Sequence, residues 1–273
     1  MLKYYDRNNH RLVFLGQKSD SDYWNAHWLL HSNDDIVLNV KKNTESKFII
    51  EHTRRYLSNG SAILEGGCGW GQNVYTLHQN GFKAYGVDYT YDNILKINSV
   101  LPELMITHGD IRQLDFDDGS FHGYWSWGVI EHYMDGYDSI RTEMFRVIQN
   151  HGYLFLTVPT MSLLREIKAY LGLYSELHDI ELKQEDFYQY ALSHNSVIDN
   201  FTNNGFILVK QLNFAGIKGL KDEIKIIQSP MQKIFISKKQ LYTVRLLRKC
   251  IDTAVRRWAG HMTLFVFRKE TKI

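Results

Sequence analysis

The sequence predicts an α/β fold built on a doubly wound, mostly parallel sheet, and three observations predict it. Ala62-Ile63-Leu64-Glu65 reads as a buried strand that breaks into a turn with four glycines in six residues: Gly66, Gly67, Gly69 and Gly71. One helix length later, Gly81 to Asp88 reads as a turn and a short strand ending in a carboxylate, which makes a βαβ unit. Strand and helix patterns then alternate as far as Pro159, as expected of a sheet with helices on its faces.

Ahead of this core, Met1 to Lys18 is polar and basic, with one short apolar run from Leu12 to Leu15. It reads as neither a signal peptide nor an anchor, and no run approaches the ~20 apolar residues of a spanning helix. The expected location is therefore cytoplasmic. Residues 20 to 58 read as helical, and residues 1 to 57 as an N-terminal helical or lid segment. Tyr23, Trp24 and Trp28 are its candidate lid residues, although aromatics at such spacing more often belong to a core.

The core, residues 58 to 160, opens on the glycine turn. Glycine is needed where the backbone takes positive φ or lets a ligand approach closely. A dinucleotide-binding turn needs glycines at i, i+2 and i+5, and that pattern fails from Gly66, which meets Cys68, and from Gly67, which ends on Gln72. The Gly-Lys-Ser/Thr of a phosphate loop is also absent. Asp88, at a strand end, has the chemistry to accept two hydrogen bonds from a ribose diol.

The remaining pattern, E-x-G-x-G-x-G from Glu65 to Gly71, resembles motif I of the class I S-adenosylmethionine (SAM)-dependent methyltransferases, a Rossmann-like family. The resemblance extends through Asp88, through His108-Gly109-Asp110-Ile111, through Tyr124 to His132, and through Arg146 to Pro159. It covers residues 48 to 160 closely. It implies SAM as cofactor, held by Glu65, Gly66, Gly67, Cys68, Gly69 and Gly71 of the turn. Asp88 would take the ribose, Asp110 the adenine amino group, and Ile111 would pack on the ring. Tyr89 and Trp127 complete the cofactor set. Two positions depart from the family pattern: His122 stands where an aspartate is usual, and Asn150-His151-Gly152 replaces the usual Pro-Gly-Gly.

Beyond Pro159, residues 161 to 175 read as a helix, Glu185 to Tyr190 leads into another through Phe201, and Phe206 to Val209 is a strand. The final strand runs from His261 to Lys269. In the family the last two strands pair antiparallel, which makes residues 217 to 260 an insertion within the C-terminal part, 161 to 273. That insertion holds eleven Lys and Arg against three acids, net +8, while the whole chain is at +2. Val244, Leu247, Ile251, Ala254, Val255 and Trp258 fall on one helical face, with Arg245, Arg248, Lys249, Arg256 and Arg257 mainly elsewhere. Such a basic amphipathic helix suits core packing with a solvated rim, or contact with an anionic membrane surface through residues 240 to 258.

Methyl transfer from a sulfonium needs an aligned acceptor, and an oxygen acceptor also needs a base. His132, just beyond the fourth strand, is the candidate general base, an imidazole having a near-neutral pKa. A metal is not expected, because Gly128 stands where a Glu-x-x-Glu-His site needs its first carboxylate. His178, His194 and Tyr188 are further substrate-side candidates. The two cysteines, Cys68 and Cys250, give no disulfide framework. No Asn/Asp-Pro-Pro-Tyr/Phe tetrapeptide for base amines is present, and basic charge is confined to one segment, so a DNA substrate is not expected. The expected acceptor is a small molecule: a hydroxyl of a sugar, a glycan precursor or a lipid-linked compound. A non-catalytic SAM-binding or membrane-surface module and an RNA methyltransferase are the alternatives.

Overall fold

The computed structural model describes residues 1–16, 23–24, 26, 32–177, 182–224 and 242–270. Its main sheet has seven strands in the order β10-β11-β7-β6-β3-β4-β5. These are β3 (Ala62–Gly66), β4 (Lys83–Asp88), β5 (Met105–His108), β6 (Phe121–Trp127), β7 (Ile148–Pro159), β10 (Phe206–Phe214) and β11 (Met262–Lys269). Strands β5 to β7 are parallel, while β11 runs antiparallel to β7 and to β10. The strand order reverses between β3 and β6, and a ligand crevice forms at such a switch point, outside the carboxyl ends of the strands.

The strands are almost continuously apolar because both faces are covered. On one face Trp125 stacks on Phe155 at 4.6 Å and donates its indole N–H to Thr53 Oγ1. Here α1 (Asn33–Lys41), α2 (Ser46–Thr53), α3 (Gln72–Gln79) and α4 (Tyr91–Val100) supply Ile36, Ile49, Val74, Leu77 and Ile97. On the other face α5 (Asp138–Val147) and α7 (His194–Asn203) bury Ile140, Met144, Val197 and Phe201.

The N-terminal region corrects the helical expectation for residues 1 to 57. Helices run from Asn33 to Thr53, but the chain begins as a hairpin, β1 (Leu2–Asp6) and β2 (Arg11–Leu15). Asp6 closes the turn by accepting hydrogen bonds from the Asn9 amide, the Asn9 side chain and Arg11. The hairpin joins β8 (Ser175–Glu176) and β9 (Phe187–Ala191) in a second, four-stranded sheet, order β8-β1-β2-β9. The apolar run from Leu12 to Leu15 is its buried strand. Residues 185 to 190, expected to lead into a helix, hold β9 instead, because Phe187 and Tyr190 pack into the main core. The helix expected over 161 to 175 is α6 (Leu163–Tyr170).

The insertion holds α8 (Gly216–Glu223) and α9 (Tyr242–Ala259) in its described part. Among the described side chains of α9, Ala259 is buried and Ile251 and Val255 are half-buried. The helix packs against α8, α6 and β10, while Ala254 and Trp258 of its apolar stripe stay exposed. Val244, Leu247 and Arg245 lie outside the described side chains. No described helix is long and apolar enough to cross a membrane.

The two departures from the family pattern have local explanations. His122 Nδ1 accepts the Ala62 amide at 3.2 Å, tying β6 to β3. In the turn, His151 takes positive φ (63°), the conformation a glycine would otherwise supply. A Cβ on Gly152 would lie 2.7 Å from Ile148 and 2.9 Å from the His122 carbonyl, so glycine is kept there.

Candidate functional site

A cavity of about 980 Å³ opens at the carboxyl ends of β3, β4 and β6. The turn after β3 forms its floor. Gly67 and Cys68 both donate their amides to the Val87 carbonyl, which pins the turn to β4. Gly67 has φ 74°, and a Cβ there would meet Val129 at 2.7 Å, so a side chain is excluded on two counts. Cys68 has its thiol packed under Gly86, and burial together with the nearby Asp88 and Glu65 pushes its pKa up, which makes it a filler and not a nucleophile.

Glu65 is fully buried, and burial raises its pKa to about 8 against the opposing hydrogen bond from Asn73. The Asn73 amide donates to Oε1 at 2.6 Å, while Oε2 has no hydrogen-bond partner among the described residues. A buried polar atom left unpaired is costly, and one belonging to a cavity-lining residue is a place for a polar group of a ligand.

Asp88 is buried, with Oδ2 accepting the Gly69 amide at 2.9 Å and Oδ1 accepting the Thr90 amide and hydroxyl at 3.0 and 2.6 Å. The expected pair of ribose hydrogen bonds is therefore reduced: Oδ1 is saturated by Thr90, and Oδ2 keeps room for one more donor. Tyr89 stands beside it on the wall, half in solvent.

Asp110 lies on the wall but is clasped by Arg112, whose Nε and Nη2 both reach the carboxylate, the latter at 2.6 Å. That side-chain hydrogen bond lowers the Asp110 pKa. The pair is open to solvent, where such bridges are worth about 0–1 kcal/mol, so Arg112 can swing away at small cost. Ile111 differs from expectation. It is buried in the core with Leu114 and Phe121 and is not part of the cavity wall. Gly66 and Gly71 are likewise behind the wall: Gly66 faces Tyr124, and Gly71 caps α3 with φ 70°.

On the opposite side stand Trp127, Gly128, Val129 and His132. Trp127 is wedged edge-on against Phe48 at 5.6 Å. His132 Nδ1 sits 2.7 Å from the Tyr188 carbonyl of β9, so the proton is on Nδ1 and Nε2 carries the lone pair. Burial lowers its pKa to about 4, corrected only in part by that hydrogen bond. The near-neutral value expected for this imidazole is thus replaced by a ring that stays uncharged at neutral pH. Trp24 meets the ring edge-on at 5.3 Å and Tyr188 at 5.1 Å, with Tyr23 beside both, and of the two described lid candidates Trp24 lines the cavity. Trp28 and His178 lie outside the described residues. His194 is apart from the cavity, bonded to Thr263.

Sequence reading missed the second sheet's part in this site. Tyr188 orients His132, and the Tyr190 hydroxyl donates to the Met134 carbonyl, so β9 fixes the loop after β6. It also missed Asn73, Asp135 and Gln184. Only Asn73 had a legible signal, in the first turn of the helix that follows the glycines. Among the described residues no group of His, Cys, Asp and Glu is arranged to hold a metal ion.

Comparison with known proteins agrees with this geometry. Residues 64–156 match the model of a family described as "Methyltransferase domain". A probable S-adenosylmethionine-dependent methyltransferase of Mycolicibacterium smegmatis is 28% identical over 100 residues, which is 37% of this chain and 38% of that protein. The chain therefore matches well under half the length of this curated relative. Among solved structures, a SAM-dependent methyltransferase from Methanosarcina mazei superposes with a TM-score of 0.54 at 17% identity, covering 81% of this chain and 98% of that one. A sarcosine dimethylglycine methyltransferase from Galdieria sulphuraria gives 0.53 at 13%, covering 84% and 86%. Geranyl diphosphate C-methyltransferase from Streptomyces coelicolor gives 0.52 at 13%, covering 82% and 76%. At such identities these structures share the fold.

Proposed function

We propose that this chain, whose residues 64–156 match a methyltransferase domain and which is similar over 100 residues to a probable SAM-dependent methyltransferase, transfers the methyl group of SAM to a small-molecule acceptor. The acceptor group is a hydroxyl of a sugar, a glycan precursor or a lipid-linked compound. The observation that carries this reading is the turn from Glu65 to Gly71. Around a cavity large enough for cofactor and acceptor together, it sets a bare backbone and a buried carboxyl with one oxygen unpartnered among the described residues.

The residues fit the cofactor. Glu65 suits an ammonium, whose positive charge favours the ionised carboxylate, the remaining lone pair of Asp88 Oδ2 suits one ribose hydroxyl, and Asp110, once released by Arg112, suits an exocyclic amine. When bound, SAM supplies a sulfonium carbon that is already electrophilic, so the protein's task is alignment. Trp127 and Tyr89 wall the cofactor region, and Trp24, with Tyr23 packed against it, lines the same cavity.

His132 takes the acceptor's proton at Nε2, with Nδ1–H anchored on the Tyr188 carbonyl. A pKa near 4 makes it a weak base. A weak base suffices here, because an oxygen that gains a methyl group becomes positively charged and its proton strongly acidic. Incubating cell extracts with the protein and isotope-labelled SAM, followed by mass spectrometry, tests the reading. One small molecule carrying the label is the expected result. Label found only on RNA or protein would overturn the acceptor class. In the same assay His132→Ala is expected to slow turnover about 10²-fold or more, with SAM affinity retained. An unchanged rate would remove the base role.

A further inference from the structure

Helix α6 is inverted. Arg165, a charged residue, is fully buried, with its guanidinium bonded to the Thr160 carbonyl, to Glu223 and to His261. Ala169, one turn on, is buried beside it. The large apolar residues face outward instead: Leu163, Ile167, Tyr170 and Leu171 occupy positions i, i+4, i+7 and i+8, and Leu173 follows in the turn. All five are exposed, Tyr170 at 91%. Exposed apolar residues scattered singly need no explanation, but five on one ridge mark a contact surface.

The chemistry beside this ridge says what it meets. Helix α9 packs against α6, and among its described side chains Lys249, Arg257 and Trp258 stay exposed. Helix α9 itself carries five Lys and Arg (Arg245, Arg248, Lys249, Arg256 and Arg257) against one acid, Asp252, so a cationic helix lies next to α6. A second copy docking ridge to ridge would set two such helices against each other, a like-charge juxtaposition. Anionic headgroups complement them. The ridge is also a line of exposed Leu, Ile and Tyr, a composition that enters the headgroup boundary of a bilayer.

We propose that the outer face of α6, Leu163 to Leu173, inserts shallowly into an anionic membrane surface, with the basic rim of α9 on the headgroups. The surface moves the membrane contact expected from residues 240 to 258 onto a different helix, for which α9 supplies charge and α6 supplies apolar area. It is independent of the methyl-transfer reading.

Flotation of the full chain with vesicles tests it. The protein is expected to float with phosphatidylcholine vesicles carrying about one-third phosphatidylglycerol and to stay behind with phosphatidylcholine alone. Leu163→Ser/Ile167→Ser/Leu171→Ser, and separately Lys249→Glu/Arg257→Glu, are each expected to lower the bound fraction about tenfold or more. SAM affinity and the thermal midpoint should stay unchanged, since these side chains are exposed. Tyr170→Asp, at the most exposed position, gives the same reading if the triple variant is unstable. Wild-type protein that ignores anionic vesicles, or variants that bind as well as wild type, would overturn the proposal. So would a wild-type dimer in sedimentation that the triple variant abolishes, which would give the surface to a second copy.

Discussion

Gly66 has no room for a side chain. A Cβ there would lie 1.8 Å from the Tyr124 hydroxyl, whose burial is so complete that it finds no hydrogen-bond partner among the described residues. Gly66→Ala is expected to cost about 1–3 kcal/mol in urea denaturation. Gly66→Ala/Tyr124→Phe should recover part of that loss, because the hydroxyl removed was making no bond while the ring carbon Cζ still lies 2.6 Å from the added Cβ. If the second substitution recovers nothing, the clash is not the cause. At this scale the sequence was informative where the chain is local. Glu65, Gly67, Cys68, Gly69, Asp88, Tyr89, Trp127 and His132 all reach the cavity, because each sits at the end of a parallel strand or in the turn beyond it. Gly66, Gly71 and Ile111 share those motifs but face inward, and which way a residue in a turn faces depends on neighbours far along the chain, such as Tyr124 and Ile106.

Among elements, the charged group under α6 has the largest structural consequence. The Glu223 carboxylate accepts hydrogen bonds from Lys3, Arg165, Lys168 and the Tyr174 hydroxyl, joining β1, α6 and α8. Those cations hold the carboxyl down at about 2 despite its burial. Breaking a buried pair strands the remaining charge, so Glu223→Ala is expected to cost about 3–5 kcal/mol by chemical denaturation. A loss under 1 kcal/mol would mean the cations find water instead. The same element shows why the N-terminal hairpin escaped sequence reading. Its strands are five residues each, Lys3 reaches Glu223 across 220 positions, and β2 pairs with β9 some 175 residues away. Only the Asn8-Asn9 turn was local enough to signal it. The seven-stranded sheet was legible because its βαβ units are local and their apolar strands continuous.

For the molecule as a whole, buried titratable groups set a pH window. Glu131 and Glu65 have folded pKa values raised to about 8 by desolvation, so the folded state holds their protons above the unfolded carboxylate range. Stability is therefore fully present below about pH 4.5 and lost as pH rises through about 8. His132 acts at the other side. Its lowered pKa leaves stability intact above about 6.5 and drains it as pH falls toward about 4. Glu131→Gln mimics the protonated form, so its thermal midpoint should gain on wild type between about pH 5 and pH 8.5. A pH-independent difference would show that Glu131 is ionised in the fold.

Calorimetric titration of SAM into the wild-type protein, Asp88→Ala and Gly69→Val tests the central claim, that the turn after β3 and the carboxylate after β4 seat the cofactor. Micromolar binding by the wild type, about 10–100-fold weaker binding by Asp88→Ala and none by Gly69→Val is the predicted result. Equal affinity in all three, or a wild-type protein that takes up NAD and not SAM, would contradict it.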